Sequence, residues 1–149
     1  MFRRSRAREV ALQLLFQQDQ NKTPMPRKAL VAFAQQRSQR DAETVSFCLA
    51  LFDGVLARKP AIDEVLTATA ENWRLTRMLP ADRNVLRLGV FELLHTPTLE
   101  PIPVILNEAI ELARRYGSKD SPAFVNGILD RIARERPTAT STEPAKVEA

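Results

Sequence analysis

Apolar residues recur along this chain three and four positions apart, in seven stretches separated by proline, glycine or polar clusters. That is the 3.6-residue period of amphipathic helices, and with few β-branched runs it predicts an all-α protein. The predicted helices cover about 5–20, 27–37, 41–58, 61–70, 81–95, 103–116 and 121–136. The third carries the most apolar run, VSFCLALFDGVLA, and is expected to be the central buried helix. Pro24 and Pro26 follow the first helix, Pro60 starts the fourth and Pro80 stands near the start of the fifth. The three prolines of TPTLEPIP break the chain before the sixth. Gly117 suits a left-handed cap at the end of the sixth, which also carries Glu111 and Arg115 at i,i+4. Ser121-Pro122 reads as an N-cap serine with proline at the first helical position. No internal repeat is present. The pattern predicts a single domain over 1–136, as one bundle or two packed helical halves, and a disordered tail over 137–149 that has little to bury.

Charge changes this picture at one place. The chain has 22 basic and 18 acidic residues, and all the acidic ones follow position 8. The net charge of +4 therefore equals Arg3, Arg4, Arg6 and Arg8. Arginines in a first helical turn oppose the helix dipole, at a cost of a few tenths to about 1 kcal/mol each. A polyanion would offset that cost, so the patch reads as a footprint for nucleic acid or an anionic surface. A merely solvated terminus is the plain alternative.

Catalytic chemistry is not expected. His95 is the sole histidine, at a helix end, and the lone Cys48 sits between Phe47 and Leu49 in the most apolar helix. No cluster of metal-ligating residues and no glycine-rich phosphate loop is present, so neither a metal nor a cofactor is expected. One cysteine forms no intrachain disulfide, and no apolar run approaches the roughly 20 residues that span a bilayer. Gln13, Gln17 and Gln18 interrupt what would otherwise resemble a signal sequence. A cytoplasmic protein with no membrane partner is the expectation.

Three local features could bind a partner. On a wheel of the first helix, Ala7, Val10, Ala11, Leu14 and Leu15 share one arc, while Phe16 falls nearly opposite, beside Leu12. Phe16 either stacks on an unpaired base or fills a second apolar contact, and the wheel alone favours the contact. In RRYGSKDSPAFVNGILD, the bend at 117–120 precedes the free N–H groups of a helix start, where a phosphate fits and Lys119 adds charge. Asp120 opposes an anion there unless it accepts hydrogen bonds from a base or a capping N–H. Val125, Ile128, Leu129 and Ile132 form the core face of that helix, with Phe124 at its edge. A well-capped helix and nothing more is equally consistent. Glu92 projects between Leu88 and Val85, so its carboxylate needs either an internal arginine or a partner's donor.

The stretches RRSRAREVALQLLFQ, RLGVFEL, NEAIELARRYG and DSPAFVNGILD, in this order and spacing, closely resemble the NusB family of bacterial transcription antitermination factors. The resemblance covers about residues 3–134. It implies two packed three-helix lobes with an extra helix, and binding of single-stranded boxA RNA together with NusE, the small-subunit ribosomal protein that doubles as a transcription factor. Such a complex makes RNA polymerase resistant to termination, notably on ribosomal RNA operons. The implied RNA surface comprises Arg3, Arg4, Arg6 and Arg8, then Phe16 where relatives often carry tyrosine, then Lys119, Asp120, Ser121 and Phe124. The resemblance thus reverses the wheel's reading of Phe16, and it puts Glu92 on the NusE-facing side. Ser5 departs from an often continuous basic run, and 72–80 and the tail match nothing in the family pattern. Relatives occur as monomers and dimers, so a homodimer stays open.

Four arginine–phosphate contacts to a single strand imply a log–log salt slope of roughly −3. The expected geometry is one cradle, with the arginine cluster beside the Lys119–Phe124 bend. Two other readings compete. A NusB-like domain precedes the catalytic domain of ribosomal RNA cytosine methyltransferases, which would make this chain a stand-alone targeting domain. A DNA-binding helical domain is the other.

Overall fold

A computed structural model describes residues 3–96 and 100–135. It contains α1 (Arg3–Asp19), α2 (Arg27–Arg37), α3 (Ala42–Ala57), α4 (Lys59–Thr69), α5 (Pro80–Leu94), α6 (Ile102–Tyr116) and α7 (Ser121–Glu135). A short 3-10 turn, Leu75–Arg77, is the only other helical element among these residues. The chain is all-α, as the periodicity predicts. The expected helix end at Arg136, the tail over 137–149 and part of the proline break, 97–99, lie outside the described residues.

The helices form two lobes. α1, α2 and α3 pack on one another, α5, α6 and α7 do the same, and α4 packs against α3, α5 and α7. α1 and α3 each also meet α5, which joins the lobes. This position decides the core. The most enclosed helix is α5, buried without a break from Asn84 to Leu93, and not the more apolar α3 that the sequence singles out. α5 can bury polar residues because its neighbours supply their partners. Asp19 of α1 accepts hydrogen bonds from Arg83 (2.8 Å) and Asn84 (3.1 Å), and Arg87 is held by Asp63 of α4 (2.8 Å). Hydropathy along one helix does not report such pairing.

Local chemistry sets the helix ends. Asp41 caps α3 by accepting from the Thr44 N–H (3.0 Å). Gly54 lets α3 approach α5, since a Cβ there would stand 2.1 Å from the Phe91 ring. The turn after α2 runs through Gln39 and Arg40, which take left-handed φ values of 52° and 59° without being glycine. Gly117, by contrast, does not form the expected left-handed cap: its φ is −98°. It serves a close approach, because a Cβ would meet Ser121 Oγ at 2.3 Å and the Ala113 carbonyl oxygen at 2.8 Å.

The buried carboxylates predict a pH dependence. Burial works against ionisation of Asp19, but hydrogen bonds from Arg83 and Asn84 and the charge of Arg87 outweigh it and hold its pKa below the usual carboxylate value. Such a carboxyl binds protons more readily when unfolded, so the stability it contributes is present above the unfolded pKa and is lost as pH falls through the folded one. His95, pushed below the ordinary imidazole value by burial and by Arg58, adds an earlier loss as pH drops below 6.5. Thermal unfolding followed from pH 8 to pH 3 is expected to show a shallow decline below about 6.5 and a steep one below about 4. A melting temperature that is constant down to pH 3 would contradict this assignment.

Candidate nucleic-acid interface

The four N-terminal arginines do not act as one cluster. At 100° per residue, Arg3 and Arg6 point along the face of α1 that continues to Gln13 and Gln17, whereas Arg4 and Arg8 point to the other side. Arg8 is only 2% exposed. Its Nε and Nη2 donate to the two carboxylate oxygens of Glu92 at 2.8 and 2.7 Å, and Glu100 and Glu108 stand 3.5 and 3.6 Å away. Burial opposes the charge on Arg8, yet its bond to Glu92 and these carboxylates outweigh that and raise its pKa. The expectation of a phosphate contact is therefore corrected at Arg8, whose guanidinium is inside the fold. The same geometry corrects Glu92: at 5% exposure it is the internal partner of Arg8, not a surface for another protein. Arg4 donates to Glu100 at 2.8 Å and lies over the Phe47 ring. Arg3 pairs with Glu43 and Asp41, and Arg6 with Glu9 at 3.3 Å.

Three surface hollows stand near the predicted site residues. The first, about 340 Å³, is lined by Arg3, Arg6, Arg37, Ser38 and Asp41. Arg37 also lines the second, about 460 Å³, with Gln13, Phe16, Phe33 and Tyr116. The third, about 290 Å³, shares no lining residue with these two and includes Trp73, Arg77, Asp82, Asp120 and Phe124. Phe16 is 42% exposed, so it faces the second hollow rather than a second core. Leu12, its neighbour on the wheel, is buried.

α6 is fastened to α1 at the second hollow. The Tyr116 hydroxyl donates to Glu9 Oε2 (2.6 Å), Arg115 donates to the same oxygen (2.8 Å) and Gln13 Nε2 donates to Tyr116 Oη (2.9 Å). Burial disfavours the Glu9 carboxylate, but the hydroxyl and Arg115 outweigh it, so its pKa is lowered. These contacts place Tyr116, just before the bend, against Glu9 and Gln13 of α1. Glu9 also pairs with Arg6 at 3.3 Å, so Arg6, Arg115 and Tyr116 meet around one carboxylate.

Within the bend, Lys119 and Asp120 are exposed. Ser121 is not: it is 1% exposed, and its Oγ accepts from the Ser118 N–H at 2.8 Å. The expected N-cap role falls instead to Asp120, whose carbonyl accepts from the Phe124 N–H (3.1 Å), and Ser121 is corrected from ligand contact to bend closure. Phe124 is half-buried and meets the exposed Trp73 edge-on, ring centroids 5.5 Å apart. Asp82 in the same hollow is buried, and its Oδ1 has no hydrogen-bond partner among the described residues.

Arg37, Phe33, Tyr116 and Trp73 were not legible as site residues, because α2, α6 and the segment before the 3-10 turn reach these hollows only through tertiary packing. Trp73 had one clue, being a lone tryptophan in a stretch that the periodicity leaves unassigned. Cys48 is buried, and burial and Asp53 push its thiol up to about 12, so it is inert as a nucleophile at neutral pH. Among the described residues no group of three or more His, Cys, Asp or Glu could hold a metal ion, and no helix is long and apolar enough to cross a membrane. The first two hollows offer cations for phosphates and aromatic faces for bases.

A family model described as the NusB family matches residues 5–134. The transcription antitermination protein NusB of Anaeromyxobacter dehalogenans is 46% identical over 141 residues, covering 95% of this chain and 97% of that protein. Its counterpart in Sorangium cellulosum is 47% identical over 130 residues, covering 87% and 91%. A solved structure of T. maritima NusB superposes with a TM-score of 0.80 at 34% identity, covering 94% of this chain and 97% of that one. A crystal structure of antitermination factors NusB and NusE in complex with dsRNA shares the fold, with a TM-score of 0.77 at 23% identity over 89% and 96%.

Proposed function

The chain belongs to the NusB family of transcription antitermination proteins, and on that premise we propose that it binds boxA-type single-stranded RNA together with NusE. In this reading the complex joins RNA polymerase in the bacterial cytoplasm and makes it resistant to termination, notably on ribosomal RNA operons, and the protein itself carries out no catalysis. The observation that carries the reading is a pair of adjoining surface hollows that share Arg37 and set Arg3, Arg6 and Arg37 beside the exposed rings of Phe16 and Tyr116. Single strands are recognised by that combination, with phosphates on arginine and lysine and unstacked bases on aromatic faces. Arg3, Arg6 and Lys119 contact phosphates, Phe16 stacks on a base, and Phe124 and Asp120 contribute base selectivity. Each exposed arginine exchanges a carboxylate for the phosphate: Arg3 leaves Glu43 and Asp41, Arg6 leaves Glu9, and Arg4 joins when it leaves Glu100.

The sole tryptophan, Trp73, is 57% exposed and lines the third hollow, so its fluorescence reports binding without a label. A titration with boxA-type RNA is expected to quench it, more tightly with NusE present, and with a log–log salt slope to which these three phosphate contacts contribute about −2. Scrambled RNA, duplex RNA and duplex DNA serve as competitors. Equal affinity for all four nucleic acids would end the proposal.

A further inference from the structure

We propose that Arg37, stacked on Phe33, is a further RNA-positioning residue, which grips a phosphate of the strand where the arginine-lined hollow adjoins the aromatic one. This inference rests on the RNA-binding reading above and adds a contact from α2 to it. Arg37 is the last residue of α2 and lines both the first and the second hollow. A backbone running from Arg3 and Arg6 towards Phe16 therefore has to pass it.

Its state of pairing sets it apart from the N-terminal arginines. Arg3, Arg4, Arg6 and Arg8 are each engaged by at least one carboxylate. No carboxylate within ion-pair distance of Arg37 is found among the described residues. Its contact is the Phe33 ring, with the guanidinium carbon 4.4 Å from the ring centroid. A phosphate that takes Arg6 must displace Glu9, whereas one that takes Arg37 displaces only water. Stacking on a ring holds the planar guanidinium in place by one face and leaves its N–H edge free for bidentate contact with phosphate oxygens. The adjoining hollow fits a nucleic-acid strand, because it offers the exposed rings of Phe16 and Tyr116.

The test is RNA binding by the full chain, read by Trp73 quenching over a range of salt concentrations, for wild type, Arg37→Gln, Arg37→Lys and Phe33→Leu. Arg37→Gln is expected to weaken binding by about tenfold or more, as loss of a charge-assisted contact implies. It should also make the salt slope shallower by about 0.7. Arg37→Lys keeps the slope but regains only part of the affinity, because an ammonium lacks the planar fork. Phe33→Leu falls between wild type and Arg37→Gln, with the slope retained. Circular dichroism and melting temperature check that each variant is folded. If wild type binds and Arg37→Gln matches it in affinity and slope, this inference falls while the RNA-binding reading stands. If Arg37→Gln loses NusE but not RNA, the residue serves a protein contact and the inference falls likewise. If wild type binds no RNA with or without NusE, both fall together.

Discussion

Replacing Arg8 with methionine is expected to lower the free energy of unfolding by about 3–5 kcal/mol, measured by urea denaturation. The substitution leaves the Glu92 carboxylate enclosed in the core with no cation, and an uncompensated buried charge is far more costly than a lost surface pair. The cost is asymmetric. Glu92→Gln removes less, because Arg8 keeps Glu100 at 3.5 Å and Glu108 at 3.6 Å. The double variant Arg8→Met/Glu92→Leu regains most of the loss, since apolar side chains of similar volume replace a buried ion pair at little or no net cost. Against a total stability of about 5–15 kcal/mol, the single variant is close to unfolding. At low temperature, where it is still folded, Arg8→Met is expected to bind RNA with nearly wild-type affinity. A stable Arg8→Met protein that had lost RNA binding would return Arg8 to the ligand set and overturn the assignment made from burial.

Phe16→Ala should do the opposite, sparing the fold and damaging recognition. Loss of base–aromatic stacking amounts to about 1–3 kcal/mol, which is about a 5- to 150-fold weaker affinity for boxA-type RNA. The side chain is exposed and outside the core cluster, so stability should change by no more than about 0.5 kcal/mol. The salt slope should not move, because no phosphate contact is removed. Phe16→Tyr keeps a stacking face and should keep most of the affinity. Unchanged RNA binding by Phe16→Ala would mean that the aromatic hollow is not where a base sits.

These two residues also show where reading the sequence succeeds and where it stops. Both stand in the same N-terminal motif, and the family resemblance assigns both to RNA. The helical wheel leaned towards an apolar contact for Phe16 because it weighs one helix at a time, and it could not see that Leu12 is covered while Phe16, one turn on, stays 42% exposed. Arg8 failed for the complementary reason. Its place in a run of arginines suggested an exposed patch, but position within a run says nothing about which way a side chain points once 100° of rotation separates neighbours. Glu92 was the better clue. A carboxylate set between Leu88 and Val85 required an internal cation or a partner, and the fold supplied Arg8.

By itself, the sequence determined the all-α class, the approximate extent of all seven helices and the family, because periodicity, proline positions and long motifs are local properties of the chain. It also marked the N-terminal arginines and the bend at 117–120 as the places where charge and backbone could serve a ligand. Only the tertiary structure decided that α5 is the enclosed helix, that Arg8 and Glu92 pair inside, and that Ser121 closes the bend. It alone brought Arg37, Phe33 and Tyr116 beside Phe16 of α1, and Trp73 beside Phe124. The physical reason is that burial and pairing depend on residues far apart in the chain, such as positions 8 and 92, whose juxtaposition no local pattern encodes.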